Sequence, residues 1–273
     1  MDMTHDQFQQ QVETASRIAN LQANTPLEMA VVLPTLNEKD NIAPMVQRLE
    51  EALGPTGWEA VFVDDNSHDG TAEEARRIGR TDPRIRVIQR IGRRGLASAA
   101  IEGMCATSAP YVAVMDADHQ HDPALLNDML ASLKSGECDL AYASRFAVGG
   151  NADGLSSKGR EKGSRVANAL ARKLTGTELT DAMSGYFMLR TDQLRKQAEN
   201  LSGIGFKIML DILSTARPQL TVKEFPLKFA ERLAGESKLD HGVASVSYTH
   251  LRAHETIHAI SYAVFCLKRG GGG

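Results

Sequence analysis

Residues 111–123 read YVAVMDADHQHDP. The first five are apolar, the length of a buried strand. The run stops at Asp116, Asp118 follows, and Gln120 and His121 come just behind. Two carboxylates so placed at a strand end suit a hard divalent cation, which takes oxygen ligands and keeps positions for phosphate oxygens. In open α/β sheets, ligands bind at the carboxyl ends of the strands. The stretch therefore predicts an α/β fold and a place on it for chemistry.

The flanking sequence repeats the pattern. Apolar strands are expected at 28–34, 58–63, 84–88 and 139–144, with helices between them at 40–53, 71–78, 96–106 and 123–135. Pro123 suits the first turn of the last of these, and Asp40 or Asn41 can cap the first. Strands and helices alternating at this spacing give a mostly parallel sheet with right-handed crossovers. Each expected strand is followed by polar residues: Asn37-Glu38, Asp64-Asp65, Arg93-Arg94, Asp116 with Asp118, and Arg145. A parallel sheet collects all of them on one edge. Asp69-Gly70-Thr71 reads as a helix-starting turn. Past residue 146 the pattern changes. A basic helix is expected at 158–174, a return toward a strand at 181–189, a helix at 206–213, an alternating antiparallel strand at 220–229 and a glycine-hinged polar loop at 232–238.

The whole chain bounds these readings. Its 273 residues, 42% hydrophobic, suffice for a sizeable core. A net charge of −3 gives no global attraction for nucleic acid. Cys105, Cys138 and Cys266 lack metal-like or paired spacing and read as reduced thiols of a cytosolic protein. No leader is visible, and no apolar run approaches the ~20 residues of a membrane span. Residues 1–27 form a Gln-rich polar extension. Residues 246–273 closely resemble a conceptual translation of a sequencing-library adapter ending in a poly-G read, so they are expected to be non-native. His250, His254 and His258, spaced like a helical metal ladder, then carry no metal role, and the native chain is expected to continue past about residue 245.

Seven motifs carry a resemblance: LPTLNE at 33–38, VDDNSHDGT at 63–71, GRRGLASAAIEG at 92–103, MDADHQHDP at 115–123, SGYFMLR at 184–190, GFKIMLDIL at 205–213 and GESKL at 235–239. In order and spacing the chain resembles family-2 glycosyltransferases of GT-A fold, most nearly the polyprenol (dolichol) phosphate mannose synthases. His121 and Leu239 favour the mannose branch; the glucosyl and aminosugar branches more often carry Asp and Tyr there. His68 and His119 depart from the usual Pro and apolar residue. The resemblance covers about residues 29–240. It implies a donor half at about 28–146, and an acceptor half at about 147–245 with a small antiparallel strand and helix part.

The same resemblance implies roles. Asp116, Asp118 and Gln120 would hold magnesium or manganese. Pro34, Leu36, Glu38, Val63, Asp65 and Ala117 would line the donor pocket, with Lys207, Arg232 and Lys238 reaching the donor. Arg145, Arg160 and Ser164 would face the acceptor's phosphate, and Asp118, Arg145 and Arg232 would carry catalysis. The implied reaction is inverting transfer of mannose from GDP-mannose to a polyprenyl phosphate at the inner face of a membrane. No strong general base is needed, because a phosphate monoester is already ionised near neutrality. A UDP-sugar donor with glucose or an aminosugar is the alternative within the class. A non-catalytic nucleotide-sugar-binding module is the alternative outside it. Relatives of this kind can carry a C-terminal membrane domain.

Overall fold

The computed structural model describes residues 25–148, 177–182, 184–205 and 207–228. The elements in order are β1 (Met29–Thr35), α1 (Lys39–Leu53), β2 (Trp58–Asp64), α2 (Thr71–Gly79), β3 (Ile85–Gln89), α3 (Leu96–Cys105), β4 (Tyr111–Val114), α4 (Leu125–Lys134), β5 (Leu140–Ser144), β6 (Phe187–Arg190), α5 (Thr191–Gln197), α6 (Ile208–Thr215) and β7 (Val222–Pro226). They build one sheet of seven strands in the order β3-β2-β1-β4-β6-β5-β7. β3, β2, β1 and β4 are mutually parallel. β6 runs antiparallel to both β4 and β5, so β5 points the same way as β4.

Alternation along the strands divides the core into two layers. Met29, Val31, Leu33, Ala60, Phe62 and Ala113 face Ile42, Met45 and Leu49 of α1, Ala75 of α2, and Leu126 and Met129 of α4. Ala30, Val32, Val61, Val63, Val112 and Val114 face Ala97, Ala100 and Met104 of α3, Leu194 of α5, and Ile208, Met209, Leu210, Ile212 and Leu213 of α6. Helices on both faces leave the central strands with no wet side, which is why their sequences are continuously apolar rather than alternating.

Several expectations shift. The strand expected at 220–229 is β7, and it pairs parallel with β5, not antiparallel. The antiparallel strand is β6, inserted between β4 and β5. α1 starts at Lys39 with Glu38 at its cap position, so Asp40 and Asn41 lie inside the first turn, and Asn41 Nδ2 donates to Glu38 Oε2 at 2.5 Å. α4 starts at Leu125, after a turn through Pro123. The basic helix at 158–174, the loop at 232–238, Arg160, Ser164, Arg232, Lys238 and the tail at 246–273 lie outside the described residues, as does 1–24 of the polar extension.

Close packing of α3 on the sheet depends on Gly103. A Cβ there would stand 2.4 Å from a Val32 methyl and 2.7 Å from a Val63 methyl. Gly103→Val is expected to lower stability by about 1–3 kcal/mol through overpacking, read as a lower urea midpoint with an unchanged slope. A wild-type midpoint would show that α3 is not held this tightly.

Candidate active site

The loops after β1 and β2 fasten to each other before any ligand is considered. Asp64, fully buried, accepts from the Ser67 N–H at 2.9 Å, from the Ser67 hydroxyl and from Thr35 Oγ1 at 3.3 Å. The Asn37 N–H donates to Ser67 Oγ at 2.8 Å, and the Glu38 N–H to Thr71 Oγ1 at 2.9 Å. Asp69, one residue before the Gly70 cap position, closes the turn into α2 by accepting the Thr71 N–H at 3.0 Å, and it accepts the Lys39 N–H at 3.1 Å. Asp69-Gly70-Thr71 is thus the turn that starts α2, with no side-chain cap on Gly70, and it also joins α2 to α1. Asn37 and Asn66 both sit at positive φ, 52° and 57°, where Asn is among the better tolerated residues. Pro34, Leu36 and Glu38 are partly exposed along this seam.

Asp65 lies deeper. Its Oδ1 accepts from Arg90 at 2.6 Å and its Oδ2 from the Gly95 N–H at 2.7 Å. Arg90 is only 2% exposed, and it also donates to Gly95 O at 3.0 Å and to Ser98 Oγ at 2.6 Å. Its Nε lies 3.2 Å from Glu102. Burial pushes the Asp65 carboxyl above its usual range, against the lowering effects of the Gly95 amide and Arg90. The sequence reading missed Arg90, although it stands immediately after β3 like the other edge motifs. Val63 is buried beneath α3. Arg93 pairs with Glu102 at 2.9 Å, while Arg94 is exposed.

The Asp-x-Asp turn is held from three sides. Arg48 of α1 donates to His119 O at 3.0 Å and lies 3.3 Å from His119 Nδ1, and His119 itself takes φ 67°. The Gln120 N–H donates to Asp118 Oδ1 at 3.2 Å. His121 Nδ1 accepts the Asp116 N–H at 3.1 Å, and the ring stacks on Tyr186 with centroids 5.0 Å apart. Asp118 and Ala117 are nearly buried, whereas the Asp116 side chain is 45% exposed and open to a ligand. A Cβ on Gly185 would lie 3.8 Å from both Asp116 oxygens, so the segment before β6 closes over this carboxylate. His119 departs from the expected apolar residue, yet it is buried; burial first and Arg48 next lower its pKa.

Arg145, after β5, is gripped by Asp181: Nε donates to Oδ2 at 2.8 Å and a terminal nitrogen to Oδ1 at 3.0 Å. Asp181 is 1% exposed. This fork-on-fork geometry fixes the guanidinium plane. Both groups act electrostatically on His121, as does Asp118, so the Asp-x-Asp turn and Arg145 share one neighbourhood. Asp181 and Arg48 were also missed: the first opens the stretch expected to return toward a strand, and the second lies within the helix expected at 40–53. Lys207 is buried directly before α6. Its loop reaches the same edge, because the Ala97 N–H at the start of α3 donates to Gly205 O at 3.1 Å.

Among the described residues, no three His, Cys, Asp or Glu side chains converge as a closed metal cage. Two carboxylates with an amide-bearing neighbour, one carboxylate open to the outside, fit a magnesium or manganese ion whose other ligands are phosphate oxygens.

Residues 30–197 match the family described as Glycosyl transferase family 2. The chain belongs to this family. Over 219 residues it is 35% identical to a dolichol-phosphate mannosyltransferase of Pyrococcus furiosus, covering 78% of this chain and 59% of that protein. Over 221 residues it is 34% identical to the dolichol-phosphate mannosyltransferase of Saccharomyces cerevisiae, covering 78% and 81%. The chain thus spans little more than half the length of the archaeal relative. Among solved structures it is similar to glucosyl-3-phosphoglycerate synthase of Mycobacterium tuberculosis in complex with Mn2+, UDP and glucosyl-3-phosphoglycerate. The TM-score is 0.53 at 20% identity, covering 80% of this chain and 77% of that one. It is also similar to S. aureus TarS, with a TM-score of 0.52 at 19% identity, covering 74% and 59%. The fold of this family-2 glycosyltransferase is accordingly the expected GT-A arrangement. No helix among the described residues is long and apolar enough to cross a membrane.

Burial lowers the pKa of His121 from 6.5 to about 4, outweighing the attraction of Asp118. A histidine kept neutral by folding stabilises the protein fully above pH 6.5, and that contribution is lost as pH falls toward 4. Urea denaturation between those limits should show stability falling with a His121 share of up to about 1.4 kcal/mol per pH unit. His121→Gln should flatten the slope whatever its absolute stability. Parallel slopes in the two proteins would refute the assignment.

Proposed function

We propose that this family-2 glycosyltransferase transfers mannose from GDP-mannose to a polyprenyl phosphate, with inversion at the anomeric carbon. The observation that carries this reading is the pairing on one sheet edge of an open Asp-x-Asp turn with an arginine locked in plane by a buried aspartate. The first suits a cation-bound diphosphate and the second an incoming phosphate monoester. The names of the relatives supply the sugar and the lipid, and His121 behind Gln120 is in keeping with them.

In the proposed reaction a phosphate oxygen of the acceptor attacks the anomeric carbon, the bond from that carbon to the diphosphate breaks, and the nucleoside diphosphate leaves with the electron pair. Asp116, Asp118 and the Gln120 amide oxygen would hold magnesium or manganese. When bound, the ion offsets negative charge on the leaving diphosphate. Asp65, Pro34, Leu36, Glu38, Val63 and Ala117 form the donor side, where Arg90 and the Gly95 amide orient the Asp65 carboxyl. Arg145 positions the acceptor phosphate, with Arg160 and Ser164 beside it; Arg232, Lys238 and Lys207 add positive charge toward the donor phosphates. Two anions must meet, and clustered cations lower the cost of that approach. The chain would work at the inner face of a membrane, where its lipid acceptor resides.

The decisive experiment supplies the protein with manganese and a polyprenyl phosphate, and with GDP-mannose, UDP-glucose or UDP-N-acetylglucosamine in separate reactions. Mannosyl transfer from GDP-mannose alone is expected; transfer only from a uridine donor would overturn the donor assignment. Asp118→Ala should reduce transfer by about a hundredfold or more, and unchanged turnover would remove Asp118 from the metal site. Asp181→Asn should raise the acceptor KM about tenfold with the donor KM and the melting temperature little altered. In an Arg145→Ala background it should add nothing further. Additive losses would mean that Asp181 does not act through Arg145.

A further inference from the structure

Among the described residues the exposed large hydrophobic side chains are Ile91, Leu96, Phe146, Val148 and Ile204. Scattered singly, such residues need no explanation, but these are not scattered. Ile91 and Leu96 follow β3, and Phe146 and Val148 follow β5, all at the carboxyl edge of the sheet that bears Asp116 and Arg145. Ile204 joins them, because its neighbour Gly205 accepts the Ala97 N–H at the start of α3. The opposite edge carries none among the described residues. Ile91 is 74% exposed, Ile204 49% and Val148 fully so.

The five form two groups with the site between them. Ile91, Leu96 and Ile204 stand at the β3 end, Phe146 and Val148 at the β5 end. Five interstrand steps separate β3 from β5, which is about 24 Å at ~4.8 Å per step. Arg93 and Arg94 are exposed beside the first group, and Arg145 lies beside the second. Two apolar contacts this far apart, flanking one mouth and the first accompanied by the exposed guanidinium groups of Arg93 and Arg94, match a flat partner that is apolar within and anionic at its surface.

We propose that this edge docks on an anionic lipid bilayer through two feet: Ile91, Leu96 and Ile204 with Arg93 and Arg94 on the donor side, and Phe146 with Val148 on the acceptor side. The aliphatic tips enter the headgroup region while the arginines meet lipid phosphates. The proposal rests on the lipid-phosphate reading of the acceptor, and it adds which surface faces the bilayer and that the donor side takes part. The site mouth is thereby held against the membrane from both flanks.

The test sediments the full chain with vesicles of phosphatidylcholine alone, or with roughly a third phosphatidylglycerol, containing no polyprenyl phosphate and with no donor present. Wild-type protein should bind the anionic vesicles, more weakly at high salt. Ile91→Ser combined with Ile204→Ser should lower its partition coefficient at least about tenfold, and Val148→Ser should lower it as well. Transfer to a short-chain, water-soluble polyprenyl phosphate should be unchanged in these variants. Equal partitioning of variant and wild type, or no vesicle binding by wild type, would overturn the proposal. A dimer that the double variant dissolves while vesicle binding persists would also overturn it, making the face a contact between two copies. Vesicle binding that depends on these residues, without transfer to the soluble acceptor, would sink the acceptor reading and leave the docking face standing.

Discussion

The pairing of β6 against the direction of both its neighbours governs the site. Residues that follow β4 and β5 emerge at the carboxyl edge, so residues that precede an antiparallel strand between them must arrive at that same edge. Asp181 therefore reaches Arg145, Gly185 meets Asp116, and Tyr186 lies against His121. Ser184 fixes the approach by donating to Ala143 O at 2.7 Å. Were β6 parallel, its lead-in would lie at the other edge, and neither the arginine nor the Asp-x-Asp turn would have this wall.

The loops after β2 and β3 use a different device, a buried ion pair that joins them. Arg90 and Asp65 cost desolvation, and a pair so placed is retained only when further hydrogen bonds satisfy both partners. Gly95 and Ser98 provide them. The arrangement fixes where the loop after β3 stands relative to the loop after β2.

Much of this was legible in the residues. Continuous apolar strands alternating with helices predict a parallel sheet, and the edge motifs then follow from topology. The directions of β6 and β7 were not legible, because an edge strand with period-2 alternation looks the same in either sense, and a buried strand has no period at all. Side chains that act on other side chains were also hidden. Arg48, Arg90 and Asp181 have ordinary positions in the sequence, and their importance comes from partners 25 to 71 residues away. Of these, only Arg90 had a usable signal, since it ends a strand whose neighbours all end in site residues.

The sheet order also has a consequence for how the chain is assembled. β5 hydrogen-bonds to β6 and β7 and to no other strand of the sheet. As the polypeptide leaves the ribosome, β1 to β4 can associate at once, but β5 has no place until Phe187–Arg190 has been made. Through that interval β4 offers an open, apolar edge, the kind of surface that invites pairing with a foreign strand. Cutting the chain after Arg145 would make that interval permanent, leaving β1 to β4 with an unfinished border.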